Sequence, residues 1–301
     1  MLRVLLLGLA SIAAAAGAAA QLPRTAEGRP DFQGNWSAAW ITPLERPPQA
    51  RDLVVPPSKA DKLFDAIYAQ FDVGAGLGPT HSIDVNSLLR VGGEARSSLI
   101  IDPADGKLPL TETARARRGG RPTVGVDGPE QRGISERCLN DGNTVAPFVV
   151  LPAGNMKQIV QTRDHVVVLS ETMSSLRIIP VNAGARGLSE TGRGYWDGDT
   201  LVVETRGFAP TDRMRIGRFV QFPISPKTTI TERFTLTSID EIVYRFTVAD
   251  ADLYTRPWTA EMALKRSDLR LYEWGCQEAN YALFNILRGA RVMEAKAAAR
   301  R

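Results

Sequence analysis

The feature that most constrains this chain is a run of short β-like segments between Lys157 and Cys276, punctuated by turns. Gln158 to Thr162, Val166 to Glu171, Ser175 to Val181, Gly194 to Trp196, Thr200 to Arg206, Thr228 to Leu236, Glu241 to Val248, Trp258 to Lys265 and Leu269 to Cys276 read as strands. The gaps Arg163 to His165 and Thr172 to Ser174 permit only antiparallel neighbours, because a parallel crossover needs many more residues. Asp197-Gly198 is a two-residue hairpin signal, since both residue types tolerate the positive φ of such turns. No alternation of strands with helices appears, which removes the doubly wound nucleotide-binding folds.

Alternation assigns the faces. Ile242, Tyr244, Phe246 and Val248 share one side of a strand, with Val243, Arg245 and Thr247 on the other; Trp258, Ala260, Met262 and Leu264 repeat the scheme. So many strands in succession must close into a barrel or split into a sandwich, because an open sheet leaves costly edges. The expectation is an all-β fold: an antiparallel, lipocalin-like β-barrel over 137–292, ending in a C-terminal helix. That helix, Glu278 to Val292, carries Tyr281, Phe284, Ile286 and Leu287 at helical spacing, and 293–301 reads as a disordered tail.

The segment 21–136 is rich in Pro and Gly and reads as irregular chain wrapping the core. Within it Ser58 stands as a cap, with Asp61 three residues on, for a helix bearing Leu63, Ile67 and Phe71. Ser97 to Asp102 reads as a short strand before a Pro103-Ala104-Asp105-Gly106 turn, and Thr111 as the cap of a short arginine-bearing helix.

Residues 1–20 have a basic start at Arg3, a short apolar middle and an Ala18-Ala19-Ala20 end. This predicts a secretory signal peptide cleaved before Gln21, hence a periplasmic or secreted protein. The strongly apolar part, Val4 to Ile12, is too short to span a bilayer, and no cysteine follows it to carry a lipid, so no stable membrane anchor is expected. In an oxidising compartment Cys138 and Cys276, the two cysteines, can form one disulfide; two buried thiols are the alternative.

Composition narrows the chemistry. Two histidines and two cysteines in 301 residues cannot by themselves build a zinc cluster or an iron-sulfur site, so any metal would need carboxylate ligands; the expectation is a protein with no metal and no cofactor. Without Arg3 the chain has 36 basic against 33 acidic residues, too even a balance to predict a nucleic-acid surface. The basic cluster Arg115, Arg117, Arg118 and Arg121 lies among Gly119, Gly120 and Pro122 and reads as a solvated loop. Gly187 to Gly192 lacks the Lys-Ser/Thr of a phosphate cradle, and Gly74, Gly76 and Gly78 read as loop punctuation. With no G-x-S-x-G elbow, a serine nucleophile would depend on His81 or His165, both in loop positions.

What remains is arginine, carboxylate and tyrosine chemistry on strands. Alternation puts Glu232 on the face of Ile230, Phe234 and Leu236, where an unpaired carboxylate is expensive and its pKa rises toward the range useful for proton transfer. Tyr244 sits on the apolar face of the following strand. Arg177 interrupts Leu176, Ile178 and Ile179, across a short hairpin from Glu171. Such a set can hold an anionic ligand with arginine and move a proton with a carboxyl or phenol. Glu171 with Arg177, or Glu232 with Arg245, also read as structural pairs in a barrel wall. Trp196 and Trp258, with Phe246 and Tyr254, suit a pocket for a flat ligand and equally suit core filling; Tyr281 is a further candidate contact.

Several motifs carry a resemblance. They are Pro30-Asp31-Phe32-Gln33-Gly34-Asn35-Trp36, Asp102 to Lys107, Glu136-Arg137-Cys138-Leu139, Arg177-Ile178-Ile179-Pro180, Gly194-Tyr195-Trp196-Asp197-Gly198-Asp199-Thr200-Leu201-Val202-Val203-Glu204-Thr205, Tyr254 to Glu261, and Cys276-Gln277-Glu278-Ala279-Asn280-Tyr281. On these the chain resembles a large family of uncharacterised exported bacterial proteins over nearly its whole mature length. That family's pattern has a histidine near Ser174 or Ser175 and another where Gln277 stands; both are absent here. Gly34-Asn35-Trp36 is similar to the G-x-W opening of lipocalin-like barrels, whose indole plugs the closed end. A looser, fold-level likeness is to phenolic acid decarboxylases, cofactor-free barrels that use arginine, glutamate and tyrosine.

Together these readings imply a cofactor-independent decarboxylase, lyase or isomerase acting on a small aromatic or apolar acid, with Arg177 holding the carboxylate and Glu232 and Tyr244 handling the proton. The alternative is a non-catalytic carrier sheltering a small hydrophobic ligand in the same cavity. A third idea is an envelope structural protein that uses the N-terminal segment as a partner arm.

Overall fold

The structure is a computed structural model that describes residues 22–72, 87–118, 125–132, 137–138, 146–148, 155–171, 175–181, 192–208, 214–216, 221–276, 278 and 280–300. The signal-peptide segment, His81, the Gly74 to Gly78 run, Gly187, Ser174, Gln277 and Arg121 lie outside the described residues.

The N-terminal segment forms β1 (Gly34–Ser37), β2 (Val54–Val55), α1 (Pro57–Asp72), β3 (Arg90–Val91), β4 (Glu94–Arg96), β5 (Ile100–Asp102) and α2 (Glu112–Arg118). The rest forms β6 (Met156–Gln161), β7 (His165–Ser170), β8 (Ser175–Pro180), β9 (Arg193–Asp197), β10 (Thr200–Thr205), β11 (Met214–Ile216), β12 (Gln221–Pro223), β13 (Thr229–Ser238), β14 (Glu241–Ala249), β15 (Trp258–Arg266) and α3 (Ala282–Ala298).

The main sheet runs β8-β7-β6-β1-β15-β14-β13-β10-β9, with β5 pairing beside β1 on β15. Each step along that path is antiparallel, so an even number of reversals leaves β8 and β9 pointing the same way. A strand path of this parity can close only through a parallel contact. The Val181 to Gly194 bridge is parallel and joins these two edges. Gly194 suits this close approach, because a Cβ would meet Val181 and Ile179 at 3.1 and 3.3 Å, tighter than an ordinary contact. The result is a nearly closed antiparallel β-barrel, as the alternation implied.

The barrel is not confined to 137–292, because 21–136 supplies β1 and β5. Conversely, Leu269 to Cys276 is not a strand. β15 already has β14 on one side and β1 and β5 on the other, so the segment after it finds no free ladder beside β15. It runs along the surface instead, with Leu269 O accepting from Asn35 Nδ2 at 2.8 Å.

Residues 22–33 cross one end of the barrel. Trp36 is fully buried and donates its Nε1–H to Phe32 O at 2.8 Å, while the Arg266 guanidinium lies 4.4 Å from its ring centroid. Arg24 pairs with Asp199 of the β9–β10 turn at 2.6 Å. At the other end the β11–β12 hairpin lays Phe222 on Phe246 and Trp258, and Tyr254 donates its hydroxyl to Pro223 O at 2.6 Å.

A second apolar cluster, Ile41, Val55, Ala60, Leu63, Ile67, Leu88 and Ala95, lies where α1 covers the small β2-β4-β3 sheet. The helix begins at Pro57, whose fixed φ suits a first helical position, so Ser58 sits inside the first turn. Thr111 does cap α2, its Oγ1 accepting from Ala114 N–H at 3.2 Å. Cys138 and Cys276 form a disulfide, Cα atoms 5.6 Å apart. α3 extends to Ala298, beyond the Val292 expected from periodicity, and none of its residues is buried; Arg291 ties it to the carbonyls of Val126 and Asp127 at 3.0 and 3.3 Å.

Candidate functional site: the barrel lumen

The candidate site is the interior face of β8, β10, β13 and β14. On β8 the polarity is inverted relative to ordinary strands: Ser175, Arg177 and Ile179 point inward and are buried, whereas Leu176 and Ile178 are 48% and 47% exposed. The register explains it, because Arg177 pairs with Val168 and Ile179 with Val166, both core residues of β7.

Arg177 therefore enters the lumen, and there it meets Glu232 of β13. Nη1 donates to Oε1 at 2.8 Å and Nη2 to Oε2 at 2.5 Å, a bidentate pair in which both residues are wholly buried. Nη2 also donates to Thr205 Oγ1 of β10 at 3.3 Å. Gly192 makes room for this reach, since a Cβ there would stand 3.0 Å from Arg177 Nη2. Tyr244 donates its hydroxyl to Glu232 Oε1 at 2.7 Å and accepts from the Phe148 N–H at 3.2 Å. Burial works against the Arg177 charge, but the Glu232 carboxylate outweighs it and holds the guanidinium above its ordinary value. Burial first, then the Glu232 charge, push the Tyr244 phenol well above the ordinary phenol range, so it stays protonated.

The three residues singled out from the sequence, Arg177, Glu232 and Tyr244, are thus brought together. The pairings expected for them are corrected. Arg177 pairs with Glu232, not with Glu171, whose Oε1 accepts from Tyr272 N–H at 3.2 Å outside the lumen. Glu232 does not pair with Arg245, which points outward and bonds Glu261 at 2.7 Å. A hairpin brings only adjacent strands together; the true partner lies across the lumen, on a strand that local spacing does not reach.

Aromatic rings surround this polar chain. Phe234 and Tyr244 lie 4.7 Å apart by ring centroid, Tyr244 and Phe246 5.8 Å, and Phe246 and Trp258 5.7 Å. Trp258 is fully buried, and its Nε1–H has no hydrogen-bond partner among the described residues. Phe148 was not singled out from sequence. It is buried against Phe234 and Tyr244 at 5.8 and 5.4 Å, with Lys157 Nζ 5.3 Å and the Arg177 guanidinium 5.6 Å from its ring centroid. Lys157 is itself buried and donates to Ser170 Oγ at 3.2 Å. Its place on the core face of β6, two residues before Ile159, was the available signal.

The remaining candidates lie elsewhere. Trp196 stacks on Phe32 at 5.7 Å beneath Arg29, at the mouth crossed by residues 22–33. There it lines a shallow pocket of about 400 Å³ with Thr25, Arg29, Gln161 and Asp164. Tyr281 is 69% exposed at the start of α3 and joins neither group. Among the described residues, no group of three or more His, Cys, Asp and Glu is placed to hold a metal ion, and no helix is long and apolar enough to cross a membrane.

No family model, curated protein or solved structure matches this chain. What the geometry establishes is a lipocalin-like barrel whose buried aromatic cluster suits a small hydrophobic ligand.

Proposed function

We propose that this protein is a carrier whose barrel lumen shelters a small apolar guest. The observation that carries the reading is the aromatic surround of the lumen, Phe234, Tyr244, Phe246 and Trp258, set about a polar chain that is already self-satisfied. Both terminal nitrogens of Arg177 are engaged by Glu232, so a guest is held by apolar contact, with the Trp258 N–H as one orienting donor. The test is a thermal-shift screen of small aromatic and aliphatic compounds, followed by titration. A guest that raises the melting temperature and quenches tryptophan emission supports the carrier; none doing so sinks it.

A second reading is the cofactor-independent lyase, and one observation favours it: Arg177, Glu232 and Tyr244 share a single hydrogen-bonded chain. Catalysis would require a substrate acid to compete with Glu232 for Arg177 and a buried phenol to give up its proton. Loss of hydroxycinnamate absorbance on incubation, abolished by Glu232→Gln, would establish that reading over the carrier.

We further place the protein in the cell envelope or outside the cell, within the exported bacterial family whose motifs it resembles. The signal-like residues 1–20 support this, as does the Cys138–Cys276 bridge, a bond at home in oxidising compartments.

A further inference from the structure

Phe148 is a ring of the described lumen cluster that belongs to no strand of the barrel or its covering hairpin. It lies in the short described stretch 146–148, yet Ala146 and Phe148 are as buried as the barrel core. Four of its described neighbours recognise a ring. Phe234 meets it edge-on, with planes at 70°, and Tyr244 is tilted against it at 39°. Lys157 and Arg177 both bring a buried cation within 5.6 Å of its centroid. A buried cation beside a π face gains from the ring quadrupole, which a saturated chain in the same place does not supply. The Phe148 backbone also supplies a donor, its N–H bonding the Tyr244 oxygen at 3.2 Å.

We propose that Phe148 is a built-in occupant of the guest site, and that the guest is an aromatic molecule bearing a hydrogen-bond donor, which takes the place of the Phe148 ring and N–H when it binds. This rests on the carrier reading and names the guest class for it. Exchange of one ring for another keeps Lys157 and Arg177 covered throughout. It also makes the apparent affinity of the native protein lower than that of the open lumen, by the fraction of molecules with Phe148 withdrawn.

The probes are phenol, which has ring and donor; cyclohexanol, which has the donor alone; and toluene, which has the ring alone. Each is titrated against the native chain and against Phe148→Ala. The expected result is phenol binding at least tenfold tighter in Phe148→Ala than in the native chain, with cyclohexanol and toluene both weaker than phenol. Equal phenol affinity in the two proteins overturns the exchange while leaving the carrier intact. Cyclohexanol binding as tightly as phenol overturns the aromatic selectivity. Absence of binding by all three probes to both proteins overturns the inference and counts against the carrier reading as well.

Should Phe148→Ala not fold, the native chain is labelled with 4-fluorophenylalanine and the Phe148 resonance assigned through Phe148→Leu. Saturation with phenol is expected to move that resonance to a solvent-like position. Phenol binding that leaves it in place overturns the exchange.

Discussion

Arg177 on β8 and Glu232 on β13 grip each other across the lumen at 2.8 and 2.5 Å, although their strands share no ladder. The pair spans the seam where, among the described residues, β8 and β9 meet through the Val181 to Gly194 bridge, so it ties the two edges of the sheet together from inside the lumen. Burying two charges costs several kcal/mol each, which the bidentate geometry and the Thr205 and Tyr244 bonds offset. Removing one partner leaves the other charge buried without its counter-charge. Glu232→Leu or Arg177→Met is expected to cost about 3–5 kcal/mol in urea unfolding, and the double variant clearly less than either single change. Additive losses in the double variant would contradict this account.

Tyr244 gives the alkaline limb of stability. Its folded phenol lies well above the ordinary value, so the native state keeps a proton that the unfolded chain releases near pH ~10. Stability from this group is full below that pH and declines as pH rises beyond it. Tyr244→Phe is expected to flatten the decline in unfolding free energy between pH ~9 and ~11 relative to the native chain, read by urea titration at each pH.

Glu241 gives the acid limb. Burial opposes its charge, yet the Lys265 ammonium, the Thr237 hydroxyl and the Gly92 N–H together hold its carboxyl below the ordinary range. A lowered folded value means the contribution is present above the unfolded carboxyl pKa and is lost as pH falls through the folded one. The Gly92 contact also fastens the β3–β4 turn to the barrel. Glu241→Gln is expected to lower stability at pH 7 by about 1 kcal/mol and to leave little difference from the native chain below pH ~3.

The Cys138–Cys276 bridge closes a long loop that contains β6 to β15. The chain-entropy account assigns such a loop about 5 kcal/mol. Cys138→Ser with Cys276→Ser is expected to lower the melting temperature by several degrees, and reduction of the native chain to do the same. A melting temperature unchanged by both would show that the reduced, unfolded chain already holds this loop closed.

The barrel was legible because its strands alternate: Ile242, Tyr244, Phe246 and Val248 turn inward just as their period of two requires. Glu232 and Tyr244 were legible for the same reason, each being a polar group on an inward face. Three things were not. Arg177 was visible as an interruption of Leu176, Ile178 and Ile179, but its partner Glu232 was not, because Leu176 and Ile178 point outward and Arg177 reaches across the lumen to a strand that shares no ladder with its own. The insertion of β1 between β6 and β15 was hidden because pairing over more than a hundred residues leaves no local mark. Phe148 was missed because its role depends on where an irregular stretch enters the lumen, which no periodicity records.

The most direct test of the central claim is calorimetric titration of the native chain with a guest from the thermal-shift screen, at several temperatures, beside a Phe246→Trp variant that overfills the lumen. The account predicts one site per chain, a negative heat-capacity change from apolar burial, and loss of binding in the variant. Binding of the same strength to Phe246→Trp, or a heat-capacity change near zero, would place the guest outside the barrel and contradict it.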